Sequence, residues 1–439
     1  MQTAVHDVVG IGFGPSNLAL AVALDEERGG GVDAVFFEKQ PEFGWHRGML
    51  IDGATMQVHF LKDLVTLRNP ASPYSFLSYL HARGRLVDFV NHKTMFPTRI
   101  EFHDYLEWTA AAFADRVRYR SEVVALRPHD DETLEVVVRR DDELETHLTR
   151  NVVIGAGLEP VLPEGIRPGE RIWHTEDLLT RLDERPGWTP KRLVVVGAGQ
   201  SAAEAVEYLH RTFPETEVCA VFARYGYSPA DDSAFANRIF DPEAVDHYYA
   251  ASGDVKRMLF EYSRNTNYSV VDLDLIDELY RRAYAEKVAG AERLRILNVS
   301  RVLDVQEVRD VQDGAGGLRA RVGFLPSGEV TDLDADALVY ATGYRERDPF
   351  DLLGEAGTHC RTGPDGRPVM ERDYRIATEP GREWGVYLQG ATEHSHGIAS
   401  SLLSMTAVRT GEIVGSIVRR SARVAPGVLQ KPGVLQKGA

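Results

Sequence analysis

Short apolar runs that end on glycines recur along this chain, and several lead straight into helical patterning. The first is Val8-Val9-Gly10-Ile11-Gly12-Phe13-Gly14-Pro15-Ser16-Asn17, followed by the apolar run Leu18 to Leu24. It reads as strand, tight turn and helix. Another strand is predicted at Ala34 to Phe37, alternating β-structure from Ser121 to Val138, and a buried strand at Asn151 to Ile154 before Gly155-Ala156-Gly157. The opening theme then returns as Arg192 to Val196, Gly197-Ala198-Gly199-Gln200-Ser201-Ala202-Ala203, and a helix. A strand at Glu217 to Phe222 comes next. From Asp231 to about Gly290 the strand–helix rhythm stops, and helical patterning such as Leu273 to Val288 takes over. Strands resume at Leu294 to Val308 and Leu318 to Phe324, with a glycine-rich hairpin signal between them. The buried run Ala337 to Tyr340 ends in Ala341-Thr342-Gly343-Tyr344, and a last helix is expected from about Ser404 to Val418.

This succession predicts an α/β protein with two Rossmann-like dinucleotide-binding domains and a small helical insertion. The expected boundaries are 1–188 with 335–422 for the first domain and 189–232 with 291–334 for the second. The insertion takes 233–290. Residues 423–439 repeat a six-residue unit beginning Pro-Gly-Val-Leu and are expected to form a disordered tail.

The two glycine loops lead to different residues. Glycine lets bare backbone approach a pyrophosphate, whose charge a helix N-terminus favours. After the first loop the second strand ends on Glu38, suited to accept hydrogen bonds from an unphosphorylated ribose, as in FAD or NAD. After the second loop the equivalent strand leads to Arg224, which suits a 2′-phosphate. FAD at the first loop and NADPH at the second is the reading. Pro15 and Ala202 stand where a third glycine would be.

Between Gly44 and Leu106 lies a stretch rich in aromatic, His and Pro residues, longer than a mononucleotide fold needs, and a candidate lining for a flavin ring and a substrate. Within it Lys62 stands in an apolar setting, where a lysine without a partner is expensive. A substrate carboxylate, Asp63 or a surface position each explains it. Asn237 and Asn267 could hold an amine or amide, although asparagine also caps and turns chains. His394 and His396 lack a third ligand at suitable spacing, so no metal is expected.

The formal charge of −16 argues against nucleic acid or an anionic membrane as the main partner. Two cysteines, Cys219 and Cys360, make neither a disulfide framework nor a CxxC pair, which disfavours a disulfide reductase of similar plan and fits a cytoplasmic setting. Neither a signal peptide nor a membrane-spanning segment is expected.

Taken together, the motifs resemble the flavin-dependent N-hydroxylating monooxygenases, which hydroxylate the side-chain amine of ornithine or lysine in siderophore and related peptide biosynthesis. The resemblance covers roughly residues 5 to 420 and rests on Gly-Ile-Gly-Phe-Gly-Pro-Ser-Asn-Leu (10–18), Trp-His-Arg-Gly-Met-Leu (45–50) and Met-Gln…Phe-Leu-Lys-Asp-Leu (56–64). It rests equally on Pro-Thr-Arg-Ile-Glu-Phe (97–102), Asn-Thr-Asn-Tyr-Ser (265–269) and Ala-Thr-Gly-Tyr (341–344). It implies FAD held by Gly10, Gly12, Gly14, Pro15, Ser16, Glu38, Lys39, Trp45, His46, Gln57 and Val123, with Ser401, Leu402 and Leu403 closing over it. NADPH would meet Gly197, Gly199, Gln200, Ser201, Ala202, Ala203, Arg224, Asn267, Tyr268 and Ser269. Lys62 would pair with the amino acid's carboxylate, helped by Asn237, Asn267 and Ser404.

The chemistry so implied is hydride transfer from NADPH to flavin, addition of O2, and delivery of oxygen from a C4a-hydroperoxyflavin to a neutral amine. No side chain is expected as an indispensable acid or base, and a homotetramer is expected. The run of motifs looks more like the ornithine enzymes than the lysine ones. A non-hydroxylating NADPH-binding flavoprotein is the alternative of a different class.

Overall fold

The computed structural model describes residues 4–27, 31–266, 268–308 and 316–424. The expected tail falls outside them from residue 425. Two sheets with parallel centres carry the architecture, each built around one of the glycine loops. In the first, strand Val5–Ile11 lies between Ala34–Phe37 and Glu143–Ile154, all parallel. Gly385–Leu388 adds to the far end of Glu143–Ile154, also parallel. The near end of that long strand instead pairs antiparallel with Leu134–Arg140, which pairs with Glu122–Pro128. The central strands are continuous Val/Ile runs because both faces are covered. One face packs helix Pro15–Asp25, whose residues Asn17 to Leu24 are all buried, and the other packs Leu126, Val136, Trp384 and Ile376.

The second sheet runs Leu294–Leu297, Glu217–Val221, Arg192–Val196, Ala337–Tyr340, Ile172–His174, again parallel. Helix Gln200–Thr212 covers one face. A separate antiparallel sheet of Ser300–Val308, Gly317–Phe324 and Val330–Ala335 covers the other through Leu318, Ala320, Val322 and Leu333. Helices Pro242–Ala250 and Gly253–Ser263 form the insertion, whereas Leu273–Ala289, expected within it, packs through Leu275, Ile276 and Leu279 into the second unit beside helix Gln200–Thr212.

Two strands lie elsewhere than the sequence boundaries put them. Ala337–Tyr340, expected in the first domain from residue 335 onward, pairs with Arg192–Val196 in the second sheet. Ile172–His174, expected before the boundary at 188, joins the same sheet through it. An apolar run buried on both faces fits the middle of either parallel sheet, so its pattern carries no address. The chain returns to the first unit only through the turn at Ala341 to Tyr344, whose Tyr344–Glu346 strand pairs with Leu158–Pro160.

The two units also touch intimately. A side chain at Gly48 would meet the backbone oxygen of Glu176 at 1.7 Å, so the 310 turn Arg47–Met49 and the turn Thr175–Asp177 pack backbone against backbone. Among the described residues no helix is long and apolar enough to cross a membrane.

Candidate active site: two dinucleotide loops on one cleft

Gly12 takes φ +79°, and any side chain there would strike Gly155 O at 2.6 Å. Gly10 has no room either, against the Phe36 ring. Gly14 differs: a side chain there would meet nothing within 4 Å, so the loop faces open space at this point. Gly14 caps helix Pro15–Asp25 without a side-chain hydrogen bond, and Pro15 occupies its first turn. The N–H groups of this terminus are therefore offered outward, as a pyrophosphate requires. Beneath the loop Asn17 donates to Ile11 O (3.0 Å) and Gly12 O (2.7 Å). Glu38 reaches the same loop and accepts from Phe13 N–H (2.7 Å) and Gln40 N–H (2.8 Å). Its carboxylate oxygens keep lone pairs for a ribose hydroxyl.

The second loop repeats the plan. Gly199 caps helix Gln200–Thr212 with no side-chain bond, and Gly197 at φ +147° lets Ala341 O approach closely. Ala202 and Ala203 turn into the core, and their N–H groups donate to Gly199 O, so Gln200 and Ser201 are left to face a ligand. Arg224 is exposed at the end of the neighbouring strand and donates to Ser269 O (2.8 Å), which brings two expected NADPH residues together. Ser269 takes φ +58°. Asn267 lies outside the described residues.

The aromatic stretch wraps the first loop's cleft. Trp45 N–H donates to His103 Nε2 (3.3 Å), and its ring meets those of His46 (4.6 Å) and Phe102 (6.0 Å). His46 is exposed beside Trp45. Desolvation by the surrounding protein, and then the nearby Arg99, pull its pKa down, so its ring is neutral and can accept as well as donate. Lys39 is exposed. Val123 is not on the surface of the cleft: its side chain packs with Val9, Ile11 and Phe37, and only its backbone, beside a register shift in the strand, is available.

Lys62 is half-buried, and burial pulls its pKa down while Asp241 pulls it up. Asp63 is not its partner. That buried carboxylate accepts from Val65 N–H, Thr66 N–H, Thr66 Oγ1 and Phe76 N–H, and is consumed by its own loop. The Lys62 ammonium instead lies over the Phe240 ring (5.5 Å), on the helical insertion. Phe240 packs against Ala399, Met405 and Val245, which brings the insertion onto the C-terminal segment. Asn237, three residues before Phe240, donates to Asp232 O and Ser233 O, leaving its side-chain oxygen to accept. Next to Met405, Ser404 Oγ is buried without a hydrogen-bond partner among the described residues. A buried hydroxyl left unpaired is costly unless a ligand completes it.

Sequence reasoning missed the groups that tie these walls together. Arg99 donates to both oxygens of Glu204 (2.9 and 2.8 Å) and to Met49 O. Gln200 donates to Glu204 and to Asp272 (both 3.0 Å), and Gln57 also donates to Asp272 (3.4 Å). Arg99 stands within a recognised motif, but its pairing with Glu204 across some hundred residues has no local signal. Glu393 was also overlooked. Burial raises its pKa to about 7 against the hydrogen bond from Tyr268 OH; Glu346, which accepts from Ser401 Oγ (3.0 Å), lies close by. The neighbouring histidines hold carbonyls: His394 contacts Pro368 O and His396 contacts Arg372 O, each at 3.0 Å.

Two glycine loops at helix N-termini of parallel sheets, the first joined to an acid and the second to an arginine, fit a pyridine-nucleotide-dependent flavoprotein. The chain belongs to the L-lysine 6-monooxygenase/L-ornithine 5-monooxygenase family, which matches over residues 4–346. It is 41% identical over 422 residues to the L-ornithine N(5)-monooxygenase of Burkholderia cepacia, covering 93% of this chain and 94% of that one. It also superposes on the ornithine N-hydroxylase of Kutzneria sp. 744, solved with reduced FAD, NADP+ and L-ornithine. The TM-score is 0.91 at 48% identity, covering 95% of this chain and 100% of that one. The L-lysine 6-monooxygenase of Pseudomonas syringae is similar at 32% identity and TM-score 0.82, covering 94% and 99%. The protein is a flavin-dependent amine monooxygenase that uses FAD and NADPH.

The buried His396 supplies a pH test of this region. Its ring stacks on Tyr374 (4.2 Å), and burial holds its pKa near 4. Between about pH 6.5 and 4 the unfolded chain therefore binds a proton that the folded one refuses, so stability falls as pH falls through that window. Urea midpoints should show His396→Gln losing about 2–3 kcal/mol less than wild type between pH 7.5 and 4.5. Equal losses would remove His396 as the cause.

Proposed function

We propose that this enzyme hydroxylates the side-chain amine of L-ornithine to N5-hydroxyornithine, for siderophore or related peptide biosynthesis. In the balanced reaction the amine, O2, NADPH and a proton give the hydroxylamine, NADP+ and water. The observation that carries the substrate side is the ammonium of Lys62, with no carboxylate within ion-pair distance among the described residues, on the wall shared with Asn237 and the unpaired Ser404 hydroxyl. An α-carboxylate would answer Lys62, and the far amine would then lie a fixed chain length away.

FAD, when bound, supplies acceptance of hydride from NADPH and activation of O2 for transfer to nitrogen. The chain's own residues bind and orient. Gly12 to Asn17 and Glu38 hold FAD; Gln200, Ser201, Arg224, Tyr268 and Ser269 hold NADPH, with Asn267 as a further ligand to it and to the substrate. Trp45, His46 and the 401–404 segment exclude water. A free alkylamine is mostly protonated at neutral pH, and desolvation in such a cleft favours the neutral, nucleophilic form. The first unit serves as the FAD domain, the second as the NADPH domain and the insertion as the substrate domain. A cytoplasmic homotetramer completes the reading, which for these points rests on family likeness. The ornithine choice is supported by 48% and 41% identity to ornithine enzymes against 32% to a lysine enzyme.

Incubation with FAD, NADPH and O2, with hydroxylamine quantified, tests the whole reading. Product from L-ornithine and little from L-lysine is expected; product mainly from lysine would overturn the substrate, and peroxide alone from both would overturn the hydroxylation. Lys62→Ala should raise the KM for ornithine by roughly 10- to 100-fold, as loss of a charge-assisted hydrogen bond predicts, while NADPH oxidation persists. An unchanged KM would remove Lys62 from the substrate site. Arg224→Ala should lose most of the preference for NADPH over NADH in initial-rate assays, and a retained preference would contradict the 2′-phosphate role.

A further inference from the structure

Arg409, the fourth residue of helix Thr406–Val424, is completely buried. Its guanidinium donates to Ser400 O, to Ser16 Oγ (3.3 Å), to Thr406 Oγ1 (3.2 Å) and to Gln389 Oε1 (3.4 Å). All four acceptors are neutral, and Glu412, the carboxylate that acts on it, is already held through both oxygens by Arg372. A buried charge without a counter-charge is expensive. Its position adds to the cost. Cations are favoured near helix C-termini, whereas Arg409 sits in the first turns of its own helix and bonds into the first turn of Pro15–Asp25. Three positive features thus converge beside Gly14, where the loop opens onto free space.

We propose that Arg409 is a positioning residue of the FAD site, its buried charge balanced by the cofactor's pyrophosphate. By donating to Ser16 Oγ it leaves the Ser16 hydroxyl proton free to donate to a phosphate oxygen. The same guanidinium holds Ser400 O, so cofactor occupancy is tied to the order of the 398–406 segment that carries Ser401 and Ser404. The inference rests on the flavoprotein assignment.

The test uses the full chain stripped of flavin, with FAD affinity read by flavin fluorescence and thermal midpoints read with and without saturating FAD. Arg409→Met should weaken FAD about tenfold or more, as loss of a charge-assisted contact predicts. Its midpoint without FAD should fall less than its midpoint with FAD, because the contact to pyrophosphate exists only in the loaded protein, so the FAD-induced increment shrinks. Arg409→Lys should restore part of the affinity. A variant that binds FAD like wild type, or that lowers both midpoints equally, would show a purely structural role and overturn the proposal. If Arg409→Met does not fold even with FAD, Arg409→Gln, which keeps hydrogen-bonding capacity without the charge, decides: a several-fold loss of affinity sustains the proposal and unchanged affinity overturns it. Wild-type protein that takes up no FAD would overturn the cofactor assignment, and this inference with it.

Discussion

The side chain of Asn17 solves the problem on which the first nucleotide site depends. A loop that offers its N–H groups to an anion must still satisfy its own carbonyls, and those of Ile11 and Gly12 point inward. Asn17, itself wholly buried, donates to both. Its own oxygen accepts from Gln389, which also donates to Ser16 O. Gln389 in turn accepts from Arg409. The loop near the chain's start is therefore fixed by residues nearly four hundred positions later. Buried polar networks of this kind tolerate no half-satisfied member, which makes the geometry of the loop a single rigid choice.

A second network sets how the loops face each other. Arg99 and Gln57 come from the first unit, Glu204 and Gln200 from the second, and Asp272 from the start of helix Leu273–Ala289. Gln200 is the hinge of this arrangement, since it also accepts from Asp272 N–H (2.9 Å) while standing at the tip of the second loop. The Arg99–Glu204 pair is almost wholly enclosed. Removing one partner of such a pair typically costs about 3–5 kcal/mol, because the other charge is left stranded. Charge and hydrogen bonds, as well as apolar packing, thus join the first unit to the second.

Much of this was legible locally. The glycine loops, the acid after one and the arginine after the other, and the helical character of 242–289 emerge from patterns within some thirty residues of chain. Helix Leu273–Ala289 matches its periodicity nearly to the residue. What escaped was the information carried by distance. Ala337–Tyr340 could not be assigned to the right sheet, because a doubly buried strand looks the same in both. By pattern alone a substrate, Asp63 or a surface position each explains Lys62; the structure takes Asp63 out, because its oxygens accept from Val65, Thr66 and Phe76. Arg409 had no signal at all, since nothing in Thr-Ala-Val-Arg-Thr says that the arginine turns inward.

The central claim is that both nucleotides and the amino acid share one cleft, with Lys62 fixing the carboxylate end. A crystal structure of the protein with FAD, NADP+ and L-ornithine tests it most directly. The account predicts pyrophosphates at the Gly12–Asn17 and Gly197–Ser201 loops, the 2′-phosphate against Arg224, and the ornithine carboxylate on the Lys62 ammonium with its far amine directed toward the flavin. Ornithine bound away from Lys62, or the two nucleotides opening onto separate clefts, would contradict it.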